Sequence, residues 1–324
     1  MNIVLIGEES AGIQSLHLLR QTNHHLVAVL TSVSRSRSGA DVSSAATRLG
    51  IPVWRAELVK DADLAPKLRA EKVDIILNVH SLYIIHNEIL QAASVGVFNL
   101  HPGPLPRYAG LNAVSWAIYY GEKMHGVTLH KIVAEIDAGP IVYQSLFEIK
   151  EDDTALSVSS KCVKEGLILI ERLLAVAAQD ASLIPLTPQD LAQREYFGGR
   201  VPENGRLSWH SPAKKIMNFV RACDYFPFRS PWGYPITNLG DTEIGIVKAG
   251  LTGVRCYEVP GTVGDSKGSE VLVACADEWL SVIKLRVGAG YLPASRILQT
   301  GQRLGETRSS SKLERQSKEA VHFN

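Results

Sequence analysis

Residues 94–106 read Ser-Val-Gly-Val-Phe-Asn-Leu-His-Pro-Gly-Pro-Leu-Pro, a short apolar run that ends in two polar side chains and a proline-rich turn. A run of this length and composition predicts a buried strand. Because successive side chains of a strand point to opposite faces, Asn99 and His101 share one face and Leu100 takes the other. The stretch therefore predicts a strand that presents an amide and an imidazole side by side at its carboxyl end.

Apolar runs of the same kind precede this strand, and segments with helical spacing separate them. The predicted strands are Asn2–Gly7, Leu26–Thr31, Pro52–Trp54 and Asp74–Val79, and the predicted helices are Ala11–Arg20, Val42–Leu49, Leu64–Ala70 and Asn87–Ala93. Strands joined by helices predict βαβ crossovers, and hence an α/β domain with a mostly parallel sheet covered on both faces. Ligands of such sheets bind beyond the carboxyl ends of the strands, which is where Asn99 and His101 lie.

The pattern changes after a predicted helix over Asn112–Tyr120. Two strands, Gly126–Val133 and Pro140–Ile149, flank a short connection that contains Asp137, and a long helix over Thr154–Ala178 follows. We assign residues 1–190 to this catalytic domain.

Periodic apolar positions then become sparse, so residues 191–206 are predicted to form a linker. Residues 207–306 contain one helix, Ala213–Ala222, and many short strands, which favour a small β-barrel. The predicted strands are Glu243–Val247, Gly261–Val263, Val271–Cys275 and Leu280–Leu285. The polar residues 307–324 are expected to be a flexible tail.

Composition narrows the class of protein. The formal net charge is +1, so there is no overall basic field to attract nucleic acid. The four cysteines form no CxxC pair, so neither disulfides nor a metal site are expected, and a reducing cytoplasm is the expected compartment. Residues 1–7 resemble a first strand rather than a signal peptide, and no apolar stretch is long enough to span a bilayer.

Each candidate site residue also has an ordinary interpretation. A histidine at a strand end is commonly exposed or bonded to a nearby carbonyl, and aspartate is common in turns such as Asp137-Ala138-Gly139. The loop after His101 favours function, because its three prolines fix φ and Gly103 permits a conformation that other residues avoid. A functional role for Asp137 requires that it lie close to His101.

Two other motifs have weaker implications. Gly7–Gly12 departs from the GxGxxG pattern and carries two glutamates that would repel a pyrophosphate, so dinucleotide binding is not expected. Aromatic residues are concentrated beside Arg221 and Arg229, over residues 221–234. They form either a surface that stacks on a ligand ring or the packing of the barrel against its helix.

With these residues identified, the chain resembles the 10-formyltetrahydrofolate-dependent formyltransferase family. The resemblance runs from about Met1 to Leu304, and four motifs carry it: Asn99-Leu100-His101, Leu105-Pro106-Arg107-Tyr108, Gly126-Val127-Thr128-Leu129-His130 and Ile136-Asp137-Ala138-Gly139. It implies a Rossmann-like, mostly parallel sheet followed by an OB-like β-barrel. It also implies 10-formyltetrahydrofolate as the formyl donor, with no metal ion.

The resemblance assigns the family's catalytic Asn, His and Asp to Asn99, His101 and Asp137. It places the folate contacts, largely through backbone groups, near one short segment and the aspartate loop. The corresponding residues are Ser81, Leu82, Tyr83, Ile84, Ile85 and Asp137.

Departures from the pattern bear on the acceptor. Members that act on methionyl-tRNA usually carry Ser-Leu-Leu-Pro after the catalytic histidine and Arg before the glycine, whereas this chain has Gly103–Pro106 and Ala109-Gly110. The form over Gly103–Asn112 is more similar to members of specialised metabolism, and Gly126–Gln144 to the enzyme that formylates 4-amino-4-deoxy-arabinose nucleotides. We therefore expect the acceptor to be an amino-sugar nucleotide, an amino acid or an aminoacyl carrier protein. The alternatives are methionyl-tRNA formylation, non-catalytic folate binding and formyl-folate hydrolysis.

The expected chemistry is attack of a neutral amine on the formyl carbon. Asn99 and a protonated His101 would stabilise the oxyanion of the tetrahedral intermediate. A carboxylate near His101 would raise the imidazole pKa, keep the ring charged and take up the amine's proton.

Overall fold

The computed structural model describes residues 1–32, 41–81 and 83–305. These residues form two compact units. The first unit contains residues 1–113, 124–148 and 159–198, and the second contains 114–123, 149–158 and the described residues from 199 onward. Among the described residues, no helix combines the length and apolarity needed to cross a membrane.

The first unit is built on a seven-stranded sheet of order β3-β2-β1-β4-β5-β7-β8. β1 to β5 run parallel, β7 is antiparallel to β5, and β8 is antiparallel to β7. A separate parallel pair joins β6 to β9. The strands are β1 (Asn2–Gly7), β2 (His25–Thr31), β3 (Val53–Arg55), β4 (Ile75–Val79), β5 (Gly96–His101), β6 (Ala109–Gly110), β7 (Met124–Lys131), β8 (Ile141–Glu148) and β9 (Tyr196–Phe197).

Helices connect and cover these strands. They are α1 (Glu9–Arg20), α2 (Val42–Arg48), α3 (Leu64–Ala70), α4 (Asn87–Leu90) and most of α6 (Ala155–Gln179), with short 3₁₀ turns at Ala56–Lys60, Ala181–Leu183 and Leu191–Gln193. α5 (Ala113–Tyr120) from Val114 onward, and α6 up to Val158, belong to the second unit. The central strands are largely apolar because both faces of the sheet are covered, and Asn78, Asn99 and His101 lie toward their carboxyl ends. A Cβ on Gly166 of α6 would lie 2.5 Å from a methyl carbon of Leu100. α6 therefore packs closely against the face of β5 that carries Leu100.

The second unit is an antiparallel sheet with strand order β10-β11-β14-β13-β12, and β15 pairs with β14. Arg303 and Leu304 bridge to Thr262 and Leu239, so one short segment ties the two ends of the sheet together. The elements are α7 (Ala213–Ala222), β10 (Ile236–Leu239), β11 (Thr242–Arg255), β12 (Val263–Lys267), β13 (Glu270–Ala274), β14 (Glu278–Val287) and β15 (Gly290–Pro293), with 3₁₀ turns at Pro202–Gly205 and Ala294–Arg296.

The predicted fold class is confirmed: a mostly parallel α/β sheet precedes a separate antiparallel sheet. The largest differences lie in the second unit. β11 continues from the predicted Glu243–Val247 to Arg255, and shifts in its register with β14 interrupt the alternation by which strands are predicted. β12 begins at Val263, where the predicted strand Gly261–Val263 ends, and runs to Lys267. Hydrophobic pattern did not predict it because the Gly-Asp-Ser-Lys sequence after Val263 contains no apolar residue.

Residues 191–206, predicted as a linker, contain β9. This strand pairs with β6, and residues up to Gly198 belong to the first unit. The predicted tail, 307–324, lies outside the described residues.

The aromatic segment beside Arg221 packs within the second unit. Arg221 is buried, and its guanidinium donates to the carbonyl oxygens of Lys150 (3.0 Å), Glu151 (2.8 Å) and Asp153 (3.0 Å). Trp232 is buried edge-on against neighbouring rings, whereas Phe226 and Phe228 are exposed. The packing interpretation therefore holds for Arg221 and Trp232.

We expect Arg221→Met to lower the free energy of unfolding by on the order of 3 kcal/mol, because it removes three hydrogen bonds from a buried guanidinium to backbone carbonyl oxygens. Four of the five tryptophans lie in the second unit, so tryptophan fluorescence recorded during denaturant unfolding measures the stability of that unit. Arg255→Met, at an exposed position of β11, is the matched control and should change stability by less than about 0.5 kcal/mol. Equal stabilities of the two variants would contradict the expectation.

Candidate active site

The structure brings Asn99, His101 and Asp137 together at the carboxyl edge of the first sheet. Asn99 and His101 lie at the end of β5, and Asp137 lies in the connection between β7 and β8. His101 Nδ1 is 3.5 Å from Asp137 Oδ2, and Asn99 Nδ2 is 3.4 Å from Asp137 Oδ1. An amide, an imidazole and a carboxylate therefore converge on one point.

Asp137 is a nearly buried carboxylate in a left-handed backbone conformation, with φ of +53°. Burial by itself raises its pKa, but the attraction of His101 and the hydrogen bonds from His130 and the Gly110 N–H outweigh burial. The Gly110 bond is short, at 2.8 Å to Oδ2. Together these groups hold the pKa of Asp137 well below its usual range, so the carboxylate is ionised at neutral pH.

His101 is buried, and its Nε2 lies 2.7 Å from the carbonyl oxygen of Tyr108, which assigns a proton to Nε2. Burial lowers the pKa of His101, and the opposing effects of Asp137 and the Tyr108 carbonyl do not overcome it. This differs from the expectation that the carboxylate keeps the ring charged, because desolvation is the larger effect at a fully enclosed imidazole. With its pKa lowered in this way the ring is neutral at pH 7, and its Nδ1 lone pair faces Asp137.

The proline-rich loop holds His101 through close packing. A Cβ on Gly103 would lie 2.8 Å from His101 Nε2 and 3.0 Å from the Tyr108 oxygen, so only glycine fits without displacing the ring. Thr128 donates to the Gly103 oxygen at 2.7 Å and accepts from the Leu105 N–H at 3.2 Å. The loop is thus attached to β7 by a buried hydroxyl.

Two residues that sequence reasoning missed orient the amide of Asn99. Asn78 and His130 are its direct register partners on the neighbouring strands β4 and β7. Asn78 Nδ2 donates to Asn99 Oδ1 at 2.8 Å, while Asn99 Nδ2 lies 3.1 Å from His130 Nε2. Because its oxygen is engaged by Asn78, Asn99 directs its NH₂ toward His130 and Asp137.

His130 is buried and is fixed at both ring nitrogens. Its Nδ1 lies 3.0 Å from the Lys131 carbonyl oxygen, and its Nε2 lies 3.4 Å from Asp137 Oδ1. A neutral ring accepts from Asn99 at Nε2, and a charged ring donates to Asp137. A polar residue on an apolar strand was the available sequence signal, but strand register was needed to interpret it.

The predicted folate-binding segment follows β4, next to β5 at the same edge of the sheet. The Tyr83 hydroxyl is 3.2 Å from Glu57, Ile84 is exposed and Ile85 is buried. Leu82 lies outside the described residues. The assignment of Ser81, Tyr83, Ile84 and Ile85 to folate therefore stays a prediction.

Predictions from the sequence also covered the cysteines and the possible metal ligands. All four cysteines are buried free thiols. Within the described part of the chain, no three His, Cys, Asp or Glu side chains are grouped so that they could hold a metal ion.

Comparison with known proteins gives two family matches that together span most of the chain. The family described as "Formyl transferase" matches residues 1–173, and "Formyl transferase, C-terminal domain" matches residues 201–300. The first match alone covers more than half of the sequence.

Solved structures of similar fold include proteins with different names and bound molecules. An N-formyltransferase from Helicobacter canadensis, in complex with folinic acid and dTDP-3-aminofucose, has TM-score 0.62 and 17% identity, covering 86% of this chain and 97% of its own. HypX from Aquifex aeolicus with tetrahydrofolic acid has TM-score 0.58 and 21% identity, covering 91% and 46%. Methionyl-tRNA formyltransferase from Clostridium thermocellum has TM-score 0.56 and 16% identity, covering 78% and 94%. At these identities the likeness shows the fold, and the chain spans about half of HypX.

We expect Asn78→Ala to reduce kcat about tenfold with the fold intact, because the Asn99 amide loses the bond that orients it. Steady-state kinetics and far-UV circular dichroism check this together. Asn23→Ala, at an exposed turn before β2, should keep wild-type turnover. Wild-type turnover in the Asn78 variant would show that the Asn99 amide is oriented without this bond.

His80, which follows β4, gives the first unit a pH-dependent stability. Burial and repulsion by His101 lower its pKa from 6.5 to about 4. The unfolded chain therefore binds more protons than the folded chain between pH 6.5 and 4, so stability falls as pH falls through that window.

We expect His80→Asn to remove a large part of this slope, since asparagine tolerates the left-handed φ of +58°. Between pH 7.5 and 4 the wild-type free energy of unfolding should fall by about 2 to 3 kcal/mol more than that of the variant. Urea unfolding across this pH range measures the difference. Parallel stability curves would contradict it.

Proposed function

The chain belongs to the formyl transferase family and is an N-formyltransferase, and from this premise we propose that it transfers the formyl group of 10-formyltetrahydrofolate to a primary amine of a small or carrier-bound substrate. The observation that carries the proposal is the convergence of Asn99, His101 and ionised Asp137 at one edge of the sheet. An amide donor, a neutral imidazole and a fixed carboxylate are the groups that amine acylation needs.

A folate donor is supported by two observations. The Helicobacter enzyme and HypX have this fold and were solved with folinic acid and tetrahydrofolic acid. In this chain, the segment containing Ser81, Tyr83, Ile84 and Ile85 follows β4, the parallel neighbour of β5. We assign folate binding to that segment, including Leu82, and to the Asp137 loop.

The proposed reaction begins with attack of the neutral amine nitrogen on the formyl carbon. The new C–N bond turns the formyl oxygen into an oxyanion, which accepts from the Asn99 NH₂. A well-aimed donor of this kind contributes about 2.7–4 kcal/mol to transition-state stabilisation.

The neutral His101 then has a definite task. Its Nδ1 lone pair takes the proton that the attacking nitrogen must lose, directly or through water, and the ring becomes an imidazolium between Asp137 and the Tyr108 carbonyl. Both of its N–H groups then have acceptors. The C–N10 bond breaks as the oxyanion collapses, and the imidazolium of His101 passes the amine's proton to the N10 nitrogen of the folate.

The acceptor class follows from the loop after His101. Gly103–Pro106 and Ala109-Gly110 differ from the usual methionyl-tRNA form, and the near-zero net charge gives no overall field toward a polyanion. We therefore favour an amino-sugar nucleotide, an amino acid or an aminoacyl carrier protein. The fold likeness to the Clostridium enzyme keeps methionyl-tRNA formylation as the second candidate.

We expect purified protein with 10-formyltetrahydrofolate to formylate one member of a panel of amino-sugar nucleotides, diamino acids, aminoacyl carrier proteins and methionyl-tRNA. Mass spectrometry identifies the product. His101→Ala and Asp137→Asn should each lower kcat/KM at least about a hundredfold, whereas His17→Ala, on the exposed face of α1, should not.

The products separate the remaining alternatives. Formate released without a formylated amine would indicate a hydrolase, and folate binding without consumption would indicate a binding protein. Activity on methionyl-tRNA that declines steeply with salt would favour the second candidate, because phosphate contacts release counterions.

A further inference from the structure

We propose that Gln189 is a positioning residue for Asp137 and that residues 187–197, hereafter the clamp segment, complete the active site. This inference rests on the proposed function for its catalytic meaning. Gln189 donates from one amide nitrogen to two carbonyl oxygens, those of Asp137 at 2.8 Å and Gly139 at 2.7 Å. It therefore closes the turn that carries the catalytic carboxylate.

The turn needs such an attachment because its backbone is in a conformation that L-residues avoid. Asp137 has φ of +53°, which persists in proteins only where surrounding contacts determine it. At the other end of the turn, a Cβ on Gly139 would overlap the carbonyl oxygen of Lys131. Gln189 is the side chain that bonds the carbonyls on both sides of Ala138.

The clamp segment is itself fixed to the sheet beside this turn. Thr187 and Ile141 exchange both backbone hydrogen bonds, at 2.8 and 2.9 Å, where β8 begins. Arg194 adds a second attachment, donating from Nη2 to the Ile136 oxygen at 2.9 Å and lying 3.6 Å from Glu135. The turn is therefore held on each side of Asp137.

The same segment also positions the donor that faces the Asp137 side chain. β9 pairs in parallel with β6, and the Leu111 N–H donates to the Phe197 oxygen at 2.8 Å. A Cβ on Gly110 would overlap that same oxygen, which shows how closely the two backbones approach. The Gly110 N–H donates to Asp137 Oδ2. The clamp segment therefore positions both the backbone of Asp137 and one hydrogen-bond donor to its carboxylate.

Loss of the clamp would change the ionisation of the site as well as its shape. Asp137 faces His101 from β5, His130 from β7 and the Gly110 N–H, while His101 and His80 repel each other when both are charged. If the turn relaxes, the carboxylate moves away from these partners. It then protonates at higher pH, and His101 becomes harder to protonate.

The test compares Gln189→Met, which keeps the side-chain length and removes both donors, with Gln193→Met. Gln193 lies in the same segment but is exposed. Its side-chain amide donates to the Asp190 carboxylate and not to the turn that carries Asp137. We expect Gln189→Met to lower kcat about 20-fold and to raise the KM for 10-formyltetrahydrofolate by a smaller factor, because the segment after β4, which holds the other proposed folate contacts, is unchanged. The acid limb of the pH profile, which protonation of the His101 base sets, should move downward by about half a pH unit or more.

A second measurement does not depend on turnover. NMR of protein labelled with ¹⁵N at histidine follows the titration of the His101 ring in Gln189→Met and Gln193→Met. The His101 signals are identified by their loss in His101→Gln. We expect the His101 titration to shift to lower pH in Gln189→Met and to match wild type in Gln193→Met.

The outcomes are distinct. Wild-type kinetics together with an unchanged His101 titration in folded Gln189→Met would overturn the inference. It would also be overturned if the variant lost activity only in proportion to its loss of folded protein and kept the wild-type pH profile. If the wild-type protein formylates no acceptor, the proposed function fails and the His101 titration alone decides the role of Gln189.

Discussion

The ionised carboxylate of Asp137 is the interaction on which the rest of the site depends. A charge that is almost removed from water persists only if hydrogen bonds and opposite partial charges replace its hydration. The Gly110 N–H and the Asn99 NH₂ donate to the carboxylate, and His101 attracts it whenever its ring is protonated. Every other feature of this edge of the sheet serves to bring these groups to the carboxylate.

Strands and loops contribute different parts of the site. Three adjacent strands supply Asn78, Asn99 and His130 in direct register, so the orientation of the amide follows from the sheet. Loops supply the close contacts around His101, where Gly103 leaves room for the ring. Donors fixed during folding need no rearrangement when the oxyanion forms, which is the condition for electrostatic catalysis.

Sequence reasoning reached the parts of this arrangement that depend on local pattern. The period of two placed Asn99 and His101 on one face, and alternating strands and helices gave the parallel sheet. Asp137 was identified through family resemblance, because a turn aspartate has no local signal that distinguishes it. Asn78 and His130 were missed since their role depends on register between strands, which no single segment contains.

Two further features could not be predicted from the sequence, for a different reason. They are the neutral state of the His101 ring and the structural role of the clamp segment. Proximity to a carboxylate suggested a protonated ring, but the extent of burial that opposes this depends on the whole packed unit. Residues 191–206 lack periodic apolar positions and were interpreted as a linker. Their contribution is made by hydrogen bonds to backbone groups, as at β9, and hydrophobic pattern does not report such bonds.

The pairing of β6 with β9 has a consequence for how the enzyme acquires activity. Arg107 and Glu195, whose side chains meet at 3.1 Å, are separated by 88 positions, and the strands beside them are similarly distant in the chain. Contacts of such long range form late, because the entropy of closing a large loop must be overcome first. If residues 187–197 complete the active site as proposed, a growing chain that already holds Asn99, His101 and Asp137 stays inactive until the residues near 197 have left the ribosome. Onset of activity would then mark the completion of the first unit rather than the appearance of its catalytic residues.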